Sequence, residues 1–265
     1  MLKIKEYVKA QSLEQAYELN QKKSTCILGG MLWLKMSNRT VQKAVDLSGL
    51  GLDQIEETED EFSIGAMVTL RQIEIHQGLN QWSHGAVKEC VRSIVGVQFR
   101  NLATVGGSIF GRFGFSDVLT CFLAFDSYVE LYHGGIISLQ EFAQQKCNND
   151  ILVRIIVKKK PLSCVYLSYR NTKTDFPVLT CAISMEEEQC HVVLGARPGR
   201  AVKLSLPENW KDIMECDGLE KLAGKTAEET VYGSNMRAGA DYRKRLAEVL
   251  IRRGLKQLLD ERSGE

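Results

Sequence analysis

The tightest constraint on this chain is a pair of Gly-Gly loops, each set where an apolar run meets a turn. The first is Ile27-Leu28-Gly29-Gly30-Met31-Leu32-Trp33-Leu34, a short buried strand running into paired glycines and then an apolar helical turn. The second is Arg100-Asn101-Leu102-Ala103-Thr104-Val105-Gly106-Gly107-Ser108-Ile109, continuing to Gly111, Gly114 and Asp117. Paired glycines permit positive φ and let the backbone approach a ligand or a second backbone closely. Successive N–H groups in such a turn form an anion-binding concavity, and a following helix N-terminus adds favourable partial charge. Two such loops facing one another hold a pyrophosphate mainly through main-chain donors, with Thr104 or Ser108 adding a hydroxyl. The common nucleotide signatures fail: Gly106 and Gly111 have P-loop spacing, but Arg112-Phe113 follow where Lys and Ser/Thr are required. No G-x-G-x-x-G occurs, so a Rossmann dinucleotide site is unsupported. These residues give two anion-capable loops and leave the ligand unnamed.

Composition narrows the function class. The 265 residues carry 34 Lys+Arg against 33 Asp+Glu, a formal charge of +1. Phosphate neutralisation needs a basic surplus, so nucleic-acid binding is excluded as the main role. No apolar run approaches the roughly 18 to 20 residues of a membrane span, and Met1-Leu2-Lys3-Ile4-Lys5-Glu6 has no apolar signal core. A cytoplasmic protein is the expectation. The eight cysteines, Cys26, Cys90, Cys121, Cys147, Cys164, Cys181, Cys190 and Cys216, form no C-x-x-C pair. Zinc and iron–sulfur sites usually draw two ligands from one tight loop, so no metal is expected. Disulfides are not expected without export, and most of these cysteines sit in apolar runs as small core fillers.

All four prolines lie late, at Pro161, Pro177, Pro198 and Pro207. The run Lys158-Lys159-Lys160-Pro161 breaks the strand-like Ile151–Val157, and this shift sets a domain boundary: residues 1–160 and 161–265. Before it, Ser12 with Gln15 and Thr69 with Gln72 read as capping boxes, the second opening a helix through Ile73 and His76. Phe62–Ala66 reads as a strand. Ser116 caps a helix through Leu119, Phe122 and Leu123, and Ser127–Tyr132 with Ile136-Ile137 flank a hairpin turn. After the boundary, Val178–Met185 and Cys190–Leu194 are strands joined by Glu186-Glu187-Glu188. A final amphipathic helix spans about Ala238 to Leu259, with Tyr242, Leu246, Val249 and Leu250 inward and Arg243, Lys244, Arg252 and Arg253 outward. Mixed strands and helices in two unequal blocks make the class α+β.

At the glycine loops the chain resembles the FAD-binding (medium) subunit of the molybdenum hydroxylases, the xanthine dehydrogenase and carbon monoxide dehydrogenase family. Ile27-Leu28-Gly29-Gly30-Met31 resembles the first FAD loop, with Met31 in place of a small polar residue. Ala103-Thr104-Val105-Gly106-Gly107-Ser108 resembles the second, with Ser108 where Asn is usual. Arg112–Asp117, Leu123-Ala124-Phe125-Asp126, Tyr169-Arg170 to Leu179, and Ala238 to Leu250 continue the match over nearly the whole length. The resemblance implies a two-lobed FAD-binding domain of PCMH type, followed by a smaller α+β domain like the C-terminal domain of the carbon monoxide dehydrogenase flavoprotein. It also implies FAD as cofactor, electrons received from a 2Fe-2S subunit fed by a molybdopterin subunit, and NAD or another acceptor.

By position, the resemblance implies that Leu28, Gly29, Gly30, Met31 and Leu32 cradle the pyrophosphate and adjoining ribose. It sets Thr104, Gly106, Gly107 and Ser108 on the phosphates or ribityl chain, and Asp117 on a hydroxyl of the adenosine ribose. Tyr169 and Arg170 are candidates for the isoalloxazine carbonyls, where positive charge stabilises a reduced flavin. Trp33 reads as core packing, and His76, His84, His133 and His191 as structural or surface residues. Two alternatives stay open: an assembly subunit that has lost FAD, and a stand-alone flavin oxidase, for which the segment after the boundary is short.

Overall fold

Caps and alternation place the first elements. In the computed structural model, which describes residues 1–186 and 189–263, Lys3–Lys9 (β1), Thr25–Leu28 (β2) and Thr40–Asp46 (β3) form a parallel sheet of order β1-β3-β2. Leu13–Asn20 (α1) supplies the crossover that parallel pairing demands. Ser12 Oγ accepts from the Gln15 amide at 3.1 Å, while the Gln15 side chain accepts from the Gln11 amide at 2.8 Å. The reciprocal bond thus closes one residue earlier than a standard capping box. Because β2 ends at Leu28, Gly29-Gly30 sits at the carboxyl edge of this sheet, where α/β sheets open a crevice.

Ile55–Glu57 (β4) and Glu61–Gly65 (β5) begin a second sheet. A run of short helices follows: Leu70–Ile75 (α2), Gln77–Trp82 (α3), Ala86–Arg92 (α4), Val97–Arg100 (α5), Val105–Phe110 (α6) and Asp117–Leu123 (α7). Ser127–Leu131 (β6) and Gly135–Ser138 (β7) form the expected hairpin, and Leu139–Gln144 (α8) leads to Leu152–Lys158 (β8). These strands make an antiparallel sheet of order β4-β5-β8-β6-β7. The Thr69–Gln72 capping box is complete. The helix it opens stops at Ile75, because His76 turns to extended backbone and caps α3, its Nδ1 accepting from the Leu79 amide at 3.1 Å.

Beyond Pro161, Ser163–Tyr169 (β9), Leu179–Glu186 (β10), Gln189–Gly195 (β11) and Val202–Ser205 (β12) form an antiparallel sheet, order β12-β11-β10-β9. Ala240–Ser263 (α10) packs on β9 and β10, and Trp210–Glu228 (α9), kinked at Gly218, packs against α10 and joins the same apolar cluster. In the acidic turn, Glu187 and Glu188 lie outside the described residues, as does the Cys216 side chain. Residue 160 separates the sheets but not the cores: Leu162, Cys164, Tyr166, Ala182 and Val193 belong to the same apolar cluster as Phe62, Val87 and Phe122. Cys90, Cys121, Cys164, Cys181 and Cys190 are buried core fillers, whereas Cys26 is half-buried and Cys147 exposed.

The final helix is rotated from its sequence reading. Its buried stripe runs through Arg243, Ala247, Leu250, Ile251 and Leu255, while Tyr242 is 48% exposed. Arg243, expected on the wet face, is fully buried. Its guanidinium donates to Val178 O (2.9 Å), Gly233 O (2.8 Å), Ala238 O (2.6 Å) and Asn235 Oδ1 (2.6 Å). A planar fork of donors satisfies loop carbonyls that no helix or strand can reach. Replacing Arg243 with Leu should therefore cost about 3 kcal/mol, since those buried acceptors lose their donors. Urea unfolding at neutral pH measures this; a loss under about 1 kcal/mol contradicts the clamp.

Candidate functional site

The two glycine loops meet, and the contact is backbone on backbone. A Cβ on Gly30 would run into the Leu102 carbonyl, and one on Gly29 would lie 2.8 Å from Thr104 Oγ1. Leu102 and Ala103 are held in turn by amide bonds to Phe99 O at 3.1 and 2.9 Å. Leu70 donates to Ala103 O at 2.8 Å, and Val105 to Val68 O at 2.8 Å. A buried ion pair fixes the approach to this loop. Arg100 Nε and Nη2 donate to Glu74 Oε2 and Oε1 at 2.8 and 3.0 Å, and Arg100 Nη1 reaches Ile94 O at 3.1 Å. Burial alone would raise the Glu74 carboxyl, but Arg100 and Arg71 outweigh it and hold Glu74 below the ordinary carboxylate range.

The loops differ in what they leave free. In the second, Val105 donates to Val68 O, Gly106 to Ala66 O, Gly107 to Thr104 Oγ1 and Ser108 to Thr104 O. The Ser108 hydroxyl also donates to Thr104 O at 3.0 Å. That loop is spent on its own turn and on the neighbouring Ala66–Val68 segment. In the first, no described residue accepts from the amides of Gly30, Met31 or Leu32. Met31 holds a left-handed φ of 58°, a conformation an L-residue adopts at a cost of about 1 kcal/mol. Such strain beside unspent amides marks a ligand cradle more than a packing turn.

These loops wall a cavity of about 640 Å³, within the roughly 300 to 1,000 Å³ of small-molecule sites. Of the sequence candidates, Gly29, Gly30, Met31, Leu32, Thr104, Gly107, Ser108, Asp117 and Arg170 line it. Leu28 lies beneath, packed with Val41 and Ala44. Gly106 also stands back: a Cβ there would lie 2.6 Å from Ala66 O, so its glycine serves close packing. Tyr169 is outside the wall, 38% exposed and edge-on to Tyr242 with ring centroids 6.2 Å apart. Trp33, read as core, is instead 49% exposed at the cavity wall. Its ring stacks on Phe176 at 4.9 Å and meets Phe99 edge-on at 5.9 Å, joining both glycine-loop regions to the C-terminal part.

Asp117 opens α7 behind the Ser116 cap, whose Oγ accepts from the Leu119 amide at 3.2 Å. Its Oδ1 accepts from Tyr166 Oη at 2.6 Å and from Arg170 Nη2, whose Nη1 holds Asp175 O at 2.6 Å. Burial pushes the Asp117 carboxyl up, opposed by the Arg170 charge and the Tyr166 hydroxyl. Burial also raises the Tyr166 phenol well above its usual value, so it remains a donor. Arg170 Nε is buried without a partner among the described residues, a donor left over beside the cavity. Tyr166 and Glu74 gave no sequence signal: one sits in an apolar strand, the other in an ordinary helix. The aromatic wall had one, in the density of Phe99, Phe113, Phe115 and Phe176 around the loops.

Unspent amides, glycines that admit a second backbone, an aromatic wall and a leftover guanidinium donor fit an elongated ligand with phosphates and planar rings. The family described as the FAD binding domain in molybdopterin dehydrogenase matches residues 2–159. The chain belongs to that family. Its cofactor is FAD, and it is a flavoprotein component of the oxidoreductase class. An Escherichia coli relative, Uncharacterized protein YgfM, is 24% identical over 253 residues, covering 94% of each chain. A chain of carbon monoxide dehydrogenase from Hydrogenophaga pseudoflava, in a form lacking the Mo-pyranopterin moiety of its molybdenum cofactor, superposes with a TM-score of 0.84 at 19% identity. It covers 95% of this chain and 96% of that one. A chain of quinoline 2-oxidoreductase from Pseudomonas putida 86 gives 0.83 at 18% identity, covering 97% of both. The structural likeness establishes a shared fold over nearly the full length.

Two outcomes follow for this flavoprotein. Gly30→Ala should force the loops apart and cut FAD affinity at least about tenfold, a loss of about 1.4 kcal/mol, whereas exposed Gly51→Ala elsewhere should not; flavin fluorescence titration reads both. Glu74→Gln should cost about 3 kcal/mol at neutral pH. Because the folded Glu74 carboxyl is depressed, its contribution is present above the unfolded value, near 4.5, and lost as pH falls through the folded one. The variant's deficit should therefore shrink below about pH 4.5; urea titrations across pH 3 to 7 check it, and a deficit that grows with acid contradicts it.

Proposed function

We propose that this chain is the electron-carrying flavin subunit of a molybdenum hydroxylase assembly. It takes electrons from a 2Fe-2S subunit, itself supplied by a molybdopterin subunit, and passes them to NAD or another acceptor. The observation that carries the reading is the run of unspent amides at Gly30, Met31 and Leu32, at the carboxyl edge of a parallel sheet and facing a cavity shared by both glycine loops. When bound, FAD supplies the exchange between one-electron and two-electron transfer that links iron–sulfur clusters to a hydride acceptor.

In this reading the amides of Gly30, Met31 and Leu32 donate to the pyrophosphate, and Gly29 lets the second loop close on it. Thr104, Gly107 and Ser108 form the opposite wall, with Gly106 keeping that wall tight against Ala66. Asp117, positioned by Tyr166 and Arg170, offers its carboxylate edge to a ribose hydroxyl. Arg170 places a fixed positive charge and a spare Nε donor toward the cofactor's polar edge, while Trp33 and Phe176 cover a planar ring and exclude water. Tyr169 acts through the fold and not by contact. The scattered cysteines support a partner that brings the iron. Residues 1–160 hold the cofactor and 161–265 complete its wall. Among the described residues no helix is long and apolar enough to cross a membrane, and the cytoplasm is part of the proposal.

The visible absorption spectrum of the purified protein tests this. The expected outcome is a yellow protein inactive alone and active once iron–sulfur and molybdenum subunits are added. A colourless protein that cannot be reconstituted overturns it in favour of a scaffold, and turnover without partners in favour of an oxidase. Asp117→Ala should lower FAD retention on gel filtration in a folded variant; unchanged retention removes the ribose role.

A further inference from the structure

Just past the C-terminal end of α6, Arg112 is only 5% exposed and holds a φ of 50°. Its guanidinium lies 3.7 Å from the Phe142 ring centroid. Nε donates to Phe142 O at 2.9 Å, and Nη1 donates to Phe110 O at 2.8 Å and to the Cys147 sulfur at 3.3 Å. Nη2 is buried and has no partner among the described residues. A buried guanidinium normally meets a carboxylate; here its described partners are two carbonyls and a thiol, so a charged donor waits unmet. Arg200 adds a second positive charge beside it, bonded to Ala143 O at 3.3 Å. Cys147, just beyond α8, is the one exposed thiol among the described cysteines: Cys90, Cys121, Cys164, Cys181 and Cys190 are buried and Cys26 is half-buried.

We propose that Cys147 is a modification site for hydrogen peroxide, with Arg112 as the built receptor for the oxygen it acquires. The Cys147 sulfur attacks one peroxide oxygen, forming an S–O bond as the O–O bond breaks. Sulfur is oxidised by two electrons, the peroxide is reduced, and the departing hydroxide takes the thiol proton to leave as water. The sulfenic oxygen is a stronger acceptor than the thiol and lies within reach of the same guanidinium, where the unmet Nη2 donates to it. Arg112 Nη1, already 3.3 Å from the sulfur, stays beside it as the new oxygen forms, so both ends of the guanidinium flank the reacting atoms. Neither the cavity nor bound FAD enters this step, so the site stands apart from the cofactor reading.

The test treats the full-length protein at pH 7 with hydrogen peroxide and a sulfenate-trapping 1,3-dione, followed by peptide mass spectrometry. Cys147 should be labelled first, about tenfold faster in the native protein than in the same protein unfolded in urea. Exposure alone cannot exceed the unfolded rate, so a native rate at or below it overturns the proposal. Arg112→Lys, which keeps the charge but loses the fork, should slow native Cys147 labelling about tenfold. Unchanged labelling in a folded Arg112→Lys protein also overturns it. If that variant melts early, the native-to-unfolded ratio of the unaltered chain decides the matter alone.

Discussion

The close approach of Gly30 to the Leu102 carbonyl is the contact on which the site depends. It joins the carboxyl edge of the parallel sheet to the turn that opens α6, two segments far apart in sequence, with no side chain between them. A Cβ at that point would push the loops apart and open the cavity wall. Everything nearby serves this approach: Phe99 O anchors Leu102 and Ala103, and the short helices before it set the turn's height. The division of labour follows from the same contact. The second loop spends its amides on Val68, Ala66 and Thr104, while those of Gly30, Met31 and Leu32 meet no acceptor among the described residues.

Buried charge performs the remaining positioning, and always where backbone leaves regular structure. Glu74–Arg100 fixes the entry to the second loop, Asp117–Arg170–Tyr166 ties α7 to β9, and Arg243 gathers carbonyls from the β9–β10 and α9–α10 connections. Each guanidinium spends hydrogen bonds on carbonyls that would otherwise be buried unmet. Such pairs contribute less to net stability than their Coulomb attraction suggests, but breaking one side is costly. They therefore specify a geometry more than they deepen the fold.

What the sequence made legible was local. The glycine pairs, the Thr69–Gln72 and Ser116 caps and the hairpin around His133-Gly134-Gly135 are set by a few adjacent residues and a fixed geometry, and they stand where the residues place them. Long-range choices were hidden. Arg243 reads as a wet residue because periodicity cannot show that loop carbonyls from Val178 and Gly233 need a donor. Trp33 reads as core because its partner, Phe176, lies far along the chain. Gly106 and Gly107 look alike in sequence, yet Ala66 O claims the first for packing while the second lines the cavity. Tyr166 reaches Asp117 only once β9 has docked beside α4 and α7 has packed on β10 and β11.

Hydrogen exchange read by mass spectrometry, with and without FAD, tests the cradle most directly. FAD should slow exchange most at Gly30, Met31 and Leu32, whose amides gain acceptors. The change should be smaller at Val105 to Ser108, whose amides are already bonded. Protection centred on the second loop, with the first unchanged, would contradict the cradle.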